Sequence, residues 1–243
     1  MNPVIQVENI SKSYAQTKAV QDVSISVCRG QVFGLLGANG AGKSTVIGCI
    51  LGTKKQDSGT VSILGMNPQT DRKRLFEKVG VQFQESNYQN NITVRELCEV
   101  TGSLHKSPSN YRELLKRFGL SGKAKSKVAN LSGGQKQRLF IVLALIPNPE
   151  VVFLDELTTG LDASARRDVW KCLEELKAKG LTIFLTSHFM DEVEVLCDKI
   201  MILKKGNMIF HGTVAEAIKH SPYEKFEDAY LWFTDEEVED ENI

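Results

Sequence analysis

The chain has 243 residues, 42% hydrophobic and 25% charged, which suits one large or two small domains with a buried core. Its 30 Lys and Arg balance 30 Asp and Glu, but the last ten residues, Thr234 to Ile243, carry six acids and no Lys or Arg, leaving a thin excess of six positive charges on the rest. No window reaches the roughly 18–20 apolar residues that span a bilayer, the N-terminus lacks a secretory pattern, and no basic cluster is dense enough to favour nucleic acid. The expectation is a folded cytosolic protein with a solvated acidic tail over residues 234–243.

Val4 to Val7 and Val23 to Val27 alternate apolar with polar residues, as half-buried strands do, and predict a small, partly antiparallel sheet with Tyr14 on the loop between them. The apolar run Val32 to Leu36 then leads into Gly37-Ala38-Asn39-Gly40-Ala41-Gly42-Lys43-Ser44-Thr45 and on to a helix over Val46 to Leu51. This is the phosphate-binding pattern G-x-x-x-x-G-K-[ST] between a strand and a helix. Glycines let successive backbone N–H groups point at one anion, and the helix start near Gly42 adds a partial positive charge. Lys43 can reach the outer phosphates, and Ser44 can ligate magnesium.

A turn at Asp57 to Thr60, a strand over Val61 to Leu64, a short helix over Arg72 to Lys78 and a strand over Val79 to Phe83 ending at Gln84 follow. From about residue 85 to 130 the pattern turns helical, with Val94, Leu97, Cys98, Thr101 and Leu104 on one face and Tyr111, Leu114, Leu115 and Phe118 on another. A helix over Lys136 to Ile146, apolar nearly all round, is stopped by Pro147. Beyond it alternate a strand over Val151 to Leu154, a helix over Ala165 to Lys179, a strand over Leu181 to Leu185, a helix over Phe189 to Leu196, and strands over Lys199 to Leu203 and Met208 to Phe210. The alternation predicts an α/β P-loop fold with helices on both faces of a sheet. The five cysteines are spread out, contain no C-x-x-C pair and read as reduced core thiols.

A nucleotide triphosphatase needs a second magnesium anchor and a group that orients the attacking water. Asp155, closing an apolar strand, fits the anchor; Glu156, pointing elsewhere because side chains alternate along a strand, is the general-base candidate.

With Leu131-Ser132-Gly133-Gly134-Gln135 added to the P-loop and to Val151-Val152-Phe153-Leu154-Asp155-Glu156, the chain resembles the ATPase subunit of an ATP-binding-cassette (ABC) transporter over nearly its whole length. Physically the five-residue stretch is a second anion site, a hydroxyl and glycine amides at a helix start without a lysine.

The resemblance implies a RecA-like core (residues 1–84 and 131–212), an antiparallel β subdomain, an inserted helical subdomain (about 85–130) and a C-terminal helical extension (about 213–233). It implies that Tyr14 stacks on adenine, that Gln84 contacts magnesium and water, and that His188 contacts the γ-phosphate. It also implies that Asp162 crosses a dimer interface and that Ser132, Gly133, Gly134 and Gln135 act on the ATP of a second ATPase subunit. Gln82 lies two residues before Gln84 on the same face, so the choice of Gln84 rests on the resemblance. The partners implied are that second subunit and an integral-membrane permease holding the protein on the inner face of the membrane, with residues 85–92 receiving a permease helix; the cofactors are ATP and Mg2+.

Leu157 stands where the family commonly has proline, and Asp155 to Asp162 with Glu227 to Leu231 resembles the branch that exports drugs and antibiotics. The alternative is a soluble ABC-type ATPase acting on the ribosome or an assembly scaffold; a GTPase is disfavoured because no Asn-Lys-x-Asp motif occurs.

Overall fold

A computed structural model describes residues 3–82, 88–89 and 91–234. In chain order its strands and helices are β1 (Pro3–Tyr14), β2 (Thr17–Cys28), β3 (Val32–Gly37), α1 (Lys43–Ile50), β4 (Ser58–Ile63), α2 (Arg72–Leu75), β5 (Val79–Gln82), α3 (Val94–Ser103), α4 (Tyr111–Arg117) and α5 (Gly133–Leu145). There follow β6 (Val151–Leu154), α6 (Ala163–Ala178), β7 (Thr182–Thr186), α7 (Met190–Leu196), β8 (Lys199–Lys204), β9 (Asn207–Gly212), α8 (Val214–His220) and α9 (Phe226–Thr234). The order confirms an α/β fold with an antiparallel sheet beside a largely parallel one.

The opening hairpin is longer than its apolar alternation indicates, because backbone pairing continues through polar residues once the register is set. Bulges at Asn9 and Asp22, both left-handed, absorb two of the four register shifts between β1 and β2. Tyr14 therefore ends β1, paired with Thr17, and is not on a loop. The turn expected at Asp57 to Thr60 is likewise partly strand, since β4 pairs with β1 from Ser58 onward, completing the sheet β2-β1-β4.

The larger sheet has the order β5-β6-β7-β3-β8-β9, parallel except for β9, which folds back on β8 through a turn at Lys205 and Gly206. Its two faces are read out by alternate residues of each strand. Phe33, Leu35, Val151, Phe153, Phe184, Met201 and Leu203 face α1 and the antiparallel sheet. Val32, Val152, Leu154, Ile183 and Leu185 face α5 and α6, while Leu36, Ile200 and Ile202 face α7, α8 and α9. One face is thus covered by α1 and the small sheet together. Each fully buried Leu, Ile or Phe contributes about 1.5–3 kcal/mol, so this double packing fixes the strand ends that carry the site.

α2 ends at Leu75, three residues short of the expected helix, because Phe76 to Lys78 form a hydrogen-bonded turn into β5. The expected continuation of β5 through Phe83 to Gln84 lies outside the described residues. α3 is started by a capping box between Thr93 and Glu96 and buries Val94 and Cys98, but Leu104, expected on that face, falls past the last helical turn and is exposed. α5 starts three residues before Lys136, where Ser132 caps it, and its first turn is only partly buried. All five cysteines are free, and burial pushes the Cys98 thiol up to about 12. Among the described residues, no helix is long and apolar enough to cross a membrane.

Candidate functional site

The site lies at the carboxyl ends of β3, β6 and β7, where parallel strands of an α/β sheet commonly present ligand-binding loops. An open cavity of about 660 Å³ is lined by Tyr14, Ala19, Asn39, Gly40, Gly42, Lys43, Ser44, Thr45, Asp155, Glu156 and His188. Residues far apart in sequence thus converge because β7 stands between β3 and β6, carrying His188 into the gap between the two loops.

The loop after β3 needs glycine at two places. Gly37 has φ 147° and a Cβ there would come within 2.5 Å of the Leu203 carbonyl; Gly42 has φ 107° and a Cβ would come within 2.3 Å of the Ala19 carbonyl. Gly42 forms the N-cap of α1 in a left-handed conformation, with no side chain capping the helix. With no side chain over them, the N–H groups at the start of α1 suit an anion. Lys43 is buried, and its ammonium donates to the Gly37 and Ala38 carbonyls at 2.7 and 3.0 Å, which curls the loop around it. Burial pushes the Lys43 ammonium down from its ordinary value while the Glu156 and Asp155 carboxylates push it back up. Ala41 turns inward into the core between α1 and the sheets. Uncapped amides, a buried cation and open space above Gly40 fit a polyphosphate. The Ser44 hydroxyl and the Asp155 carboxylate, both in the lining, are the hard oxygen donors that Mg2+ prefers.

Asp155 and Glu156 lie beyond the end of β6, so strand alternation does not separate them. Both face the cavity, because Glu156 takes a left-handed backbone (φ 52°) that reverses the chain. Such a conformation costs a non-glycine residue about 1–3 kcal/mol and must be held by its surroundings. Thr186, at the end of β7, accepts from the Glu156 N–H at 2.9 Å and donates its hydroxyl hydrogen to Asp155 Oδ1 at 2.5 Å. Gln137 on α5 donates to the Glu156 and Leu157 carbonyls at 3.0 and 2.9 Å. His188 Nε2 lies 3.1 Å from Glu156 Oε1, and with its proton on Nε2 it donates to that carboxylate.

Gln82 is buried and donates to the Asp155 carbonyl at 3.1 Å, which gives it a place in the strand-end scaffold. Gln84 lies outside the described residues, as do Glu85, Ser86, Asn87 and Asn90 of the segment 85–92 expected to meet a permease. Tyr14 is 44% exposed at the cavity rim, with the Lys12 and Lys54 ammonium groups 5.6 and 5.7 Å from its ring centre.

Ser132, Gly133, Gly134, Gln135 and Asp162 are not among the described residues that line the cavity. Ser132 caps α5 by accepting from the Gln135 N–H at 3.3 Å, while the Gln135 side-chain oxygen accepts from the Ser132 N–H at 3.2 Å. Asp162 caps α6 by accepting from the Ala165 N–H at 2.8 Å.

The residues missed from sequence are Thr186, Gln137 and Ala19. Thr186 was legible as a hydroxyl ending an apolar strand one position before Ser187-His188, and Gln137 as a polar residue in a helix read as apolar nearly all round. Nothing marks Ala19, whose part depends on folding alone.

A family model described as ABC transporter matches residues 20–159. A Nod factor export ATP-binding protein I from Mesorhizobium japonicum is 43% identical over 84% of this chain and 61% of its own length. The protein of the same description from Ralstonia nicotianae is 40% identical over 90% of this chain and 70% of its own. A linearmycin resistance ATP-binding protein from Bacillus subtilis is 37% identical over 86% and 69%. The chain thus spans about three-fifths to seven-tenths of the length of these curated relatives. Among solved structures, an ATP-binding subunit of an ABC transporter superposes with a TM-score of 0.87 at 27% identity, covering 95% of this chain and 99% of that one. An ATP-binding cassette in an ADP conformation superposes at 0.80 with 29% identity, covering 95% and 99%. The fold, the phosphate loop and these matches agree: the chain belongs to the ABC transporter family, as an ATP-binding cassette.

Proposed function

We propose that the protein binds and hydrolyses ATP as the ATPase subunit of an ABC transporter, pairing head to tail with a second cassette around two ATP molecules and driving a separate integral-membrane permease. The observation that carries this reading is the half-built site. One cavity gathers the phosphate loop, Asp155, Glu156 and His188, while the helix start at Ser132 stands outside its lining.

In this reading the uncapped start of α1 and Lys43 hold the phosphates, and Tyr14 takes the adenine. Mg2+, when bound, neutralises phosphate charge, and Ser44, Asp155 and Gln84 are the residues that would hold it. Glu156 orients the attacking water and accepts its proton, with His188 beside it to steady the carboxylate and meet the γ-phosphate. Ser132, Gly133, Gly134 and Gln135 of one subunit close the site of the other, and Asp162 lies at that interface. ATP then favours the closed dimer because its phosphates gain contacts only there, and hydrolysis withdraws them.

The working division is the one expected from sequence: a core over residues 1–84 and 131–212, a helical subdomain over about 85–130, and an extension over about 213–233. In the described part of that extension α8 and α9 pack against α7 and β8. The relatives named for Nod factor export and linearmycin resistance favour an exporter and lend nothing to a ribosome- or scaffold-linked role. The location that follows is the cytoplasmic face of a membrane, held there by the permease.

Glu156→Gln tests the chemistry. Turnover is expected to fall about 100- to 10,000-fold, with ATP binding intact and an ATP-bound dimer accumulating on size-exclusion chromatography. Ordinary ATPase activity in that variant removes Glu156 from the base role.

A further inference from the structure

Gln137 has no part in the reading above, yet it touches the backbone of the residue on which hydrolysis depends. It lies on α5 one turn beyond Gly134, and the two share a helix face at i, i+3. That face rests on the loop between Glu156 and Asp162. A Cβ at Gly134 would meet Leu161 Cδ2 at 3.0 Å and the Gly160 carbonyl at 3.2 Å, while Gln137 Nε2 reaches the Glu156 and Leu157 carbonyls at 3.0 and 2.9 Å. A primary amide nitrogen has two hydrogens, one for each carbonyl. The flipped amide would set an oxygen against two oxygens, so the orientation is determined by its partners.

Glu156 is the non-glycine, left-handed residue at this turn, and its backbone is held on both sides: its N–H donates to Thr186, and its carbonyl accepts from the Gln137 side chain at 3.0 Å and, at a longer 3.3 Å, from the Thr159 N–H. The direction of a carboxylate depends on the backbone that carries it; a small relaxation of this peptide would swing Glu156 away from the cavity and from His188. We propose that Gln137 is a positioning residue for hydrolysis, holding the Glu156 peptide in the left-handed conformation that aims its carboxylate into the nucleotide cavity. The inference rests on Glu156 being the general base. Because Ser132 caps α5, the same helix that would face the second subunit's nucleotide also holds the base of its own site.

The test uses the full chain with three changes: Gln137→Leu, which removes both donors; Gln137→Glu, which puts acceptors against the carbonyls; and Glu156→Gln as reference. At pH 7.5 both Gln137 variants are expected to lose at least about ten-fold in kcat, with affinity for a fluorescent ATP analogue within about two-fold of the parent. Protonation restores one donor to Gln137→Glu, so its turnover relative to the parent should recover several-fold between pH 7.5 and 5.5, while that of Gln137→Leu should not. In the Glu156→Gln background, Gln137→Leu should still accumulate the ATP-bound dimer, since the Ser132 end of α5 is untouched. Parent-like kcat in Gln137→Leu overturns the proposal, as does loss of ATP affinity or of the trapped dimer, which would make Gln137 a fold element only. If Glu156→Gln hydrolyses ATP normally, the base assignment falls and this inference with it; if Glu156→Gln is inactive and Gln137→Leu normal, only the positioning role falls.

Discussion

The starts of α1 and α5 are both glycine-rich helix N-termini, and they treat their free N–H groups in opposite ways. At α1 the N-cap is Gly42, no side chain caps the helix, and a buried lysine stands beside the open amides. At α5 Ser132 and Gln135 form a reciprocal capping box, the start is exposed, and no lysine is present in Ser132 to Gln135. An anion at α1 meets a prepared positive cradle, whereas one at α5 must compete with a cap the chain already supplies. Under the proposed function, this contrast would let the first bind nucleotide within one subunit and leave the second for a phosphate brought by another subunit.

The sharpest way to break this contrast is to damage each start separately. Lys43→Ala should weaken ATP binding by about 2–5 kcal/mol, since it removes a buried cation, while Ser132→Arg should leave ATP binding at the phosphate loop near its parent value and block dimer closure; equilibrium binding of a fluorescent ATP analogue reads the first claim. Mixed together, the two variants can still assemble one intact composite site, from the loop of the Ser132→Arg chain and the helix start of the Lys43→Ala chain. Cross-linking that finds no more closed dimer in the mixture than in either alone would sink the two-subunit site.

A smaller effect is expected where the α1 half is stiffened from below. Thr186→Val deletes the hydroxyl shared by Asp155 and the Glu156 N–H and should cost about 1–3 kcal/mol of stability by urea denaturation, with turnover falling more than ATP affinity. Turnover unchanged within two-fold would show that the Glu156 turn needs no such support.

The smallest concerns Glu192 on α7, fully buried and accepting from Trp170 Nε1 at 3.0 Å. Burial pushes its carboxyl above the ordinary 4.5, and the Ser187, Trp170 and Thr158 side chains only partly offset this. The folded protein therefore holds this proton more tightly than the unfolded chain, so the stabilisation is complete below the unfolded value and declines as pH rises toward the folded one. Glu192→Gln should flatten the dependence of Tm on pH above about 4.5 without lowering stability at neutral pH. A marked loss of Tm at neutral pH would show that the carboxylate, not the neutral acid, is the structural form.

Much of the site was legible because its chemistry is written in short local runs. Gly37 to Thr45, Asp155-Glu156 and Ser132 to Gln135 are each contiguous, and a glycine that must accept a positive φ or a lysine that must meet phosphate leaves a local mark. Alternation along a strand predicts that Glu156 points away from Asp155, whereas a left-handed turn beyond the strand end brings both into the cavity lining. Thr186 and Gln137 left weaker marks because their partners are backbone atoms of Glu156 and its neighbours, about 30 and 20 positions away.

The α/β alternation, the phosphate loop, the acidic strand end and the glycine-rich helix start are legible in the chain alone, since each depends on a residue's own conformational range, polarity or neighbours within one turn. Long-range packing sets the rest: β7 separates β3 from β6 and brings His188 within 3.1 Å of Glu156, and the Ser132 start lies outside the cavity's lining. Strand order and helix placement follow from how alternate faces of the whole sheet are buried, a sum over many distant residues that no single stretch of chain contains.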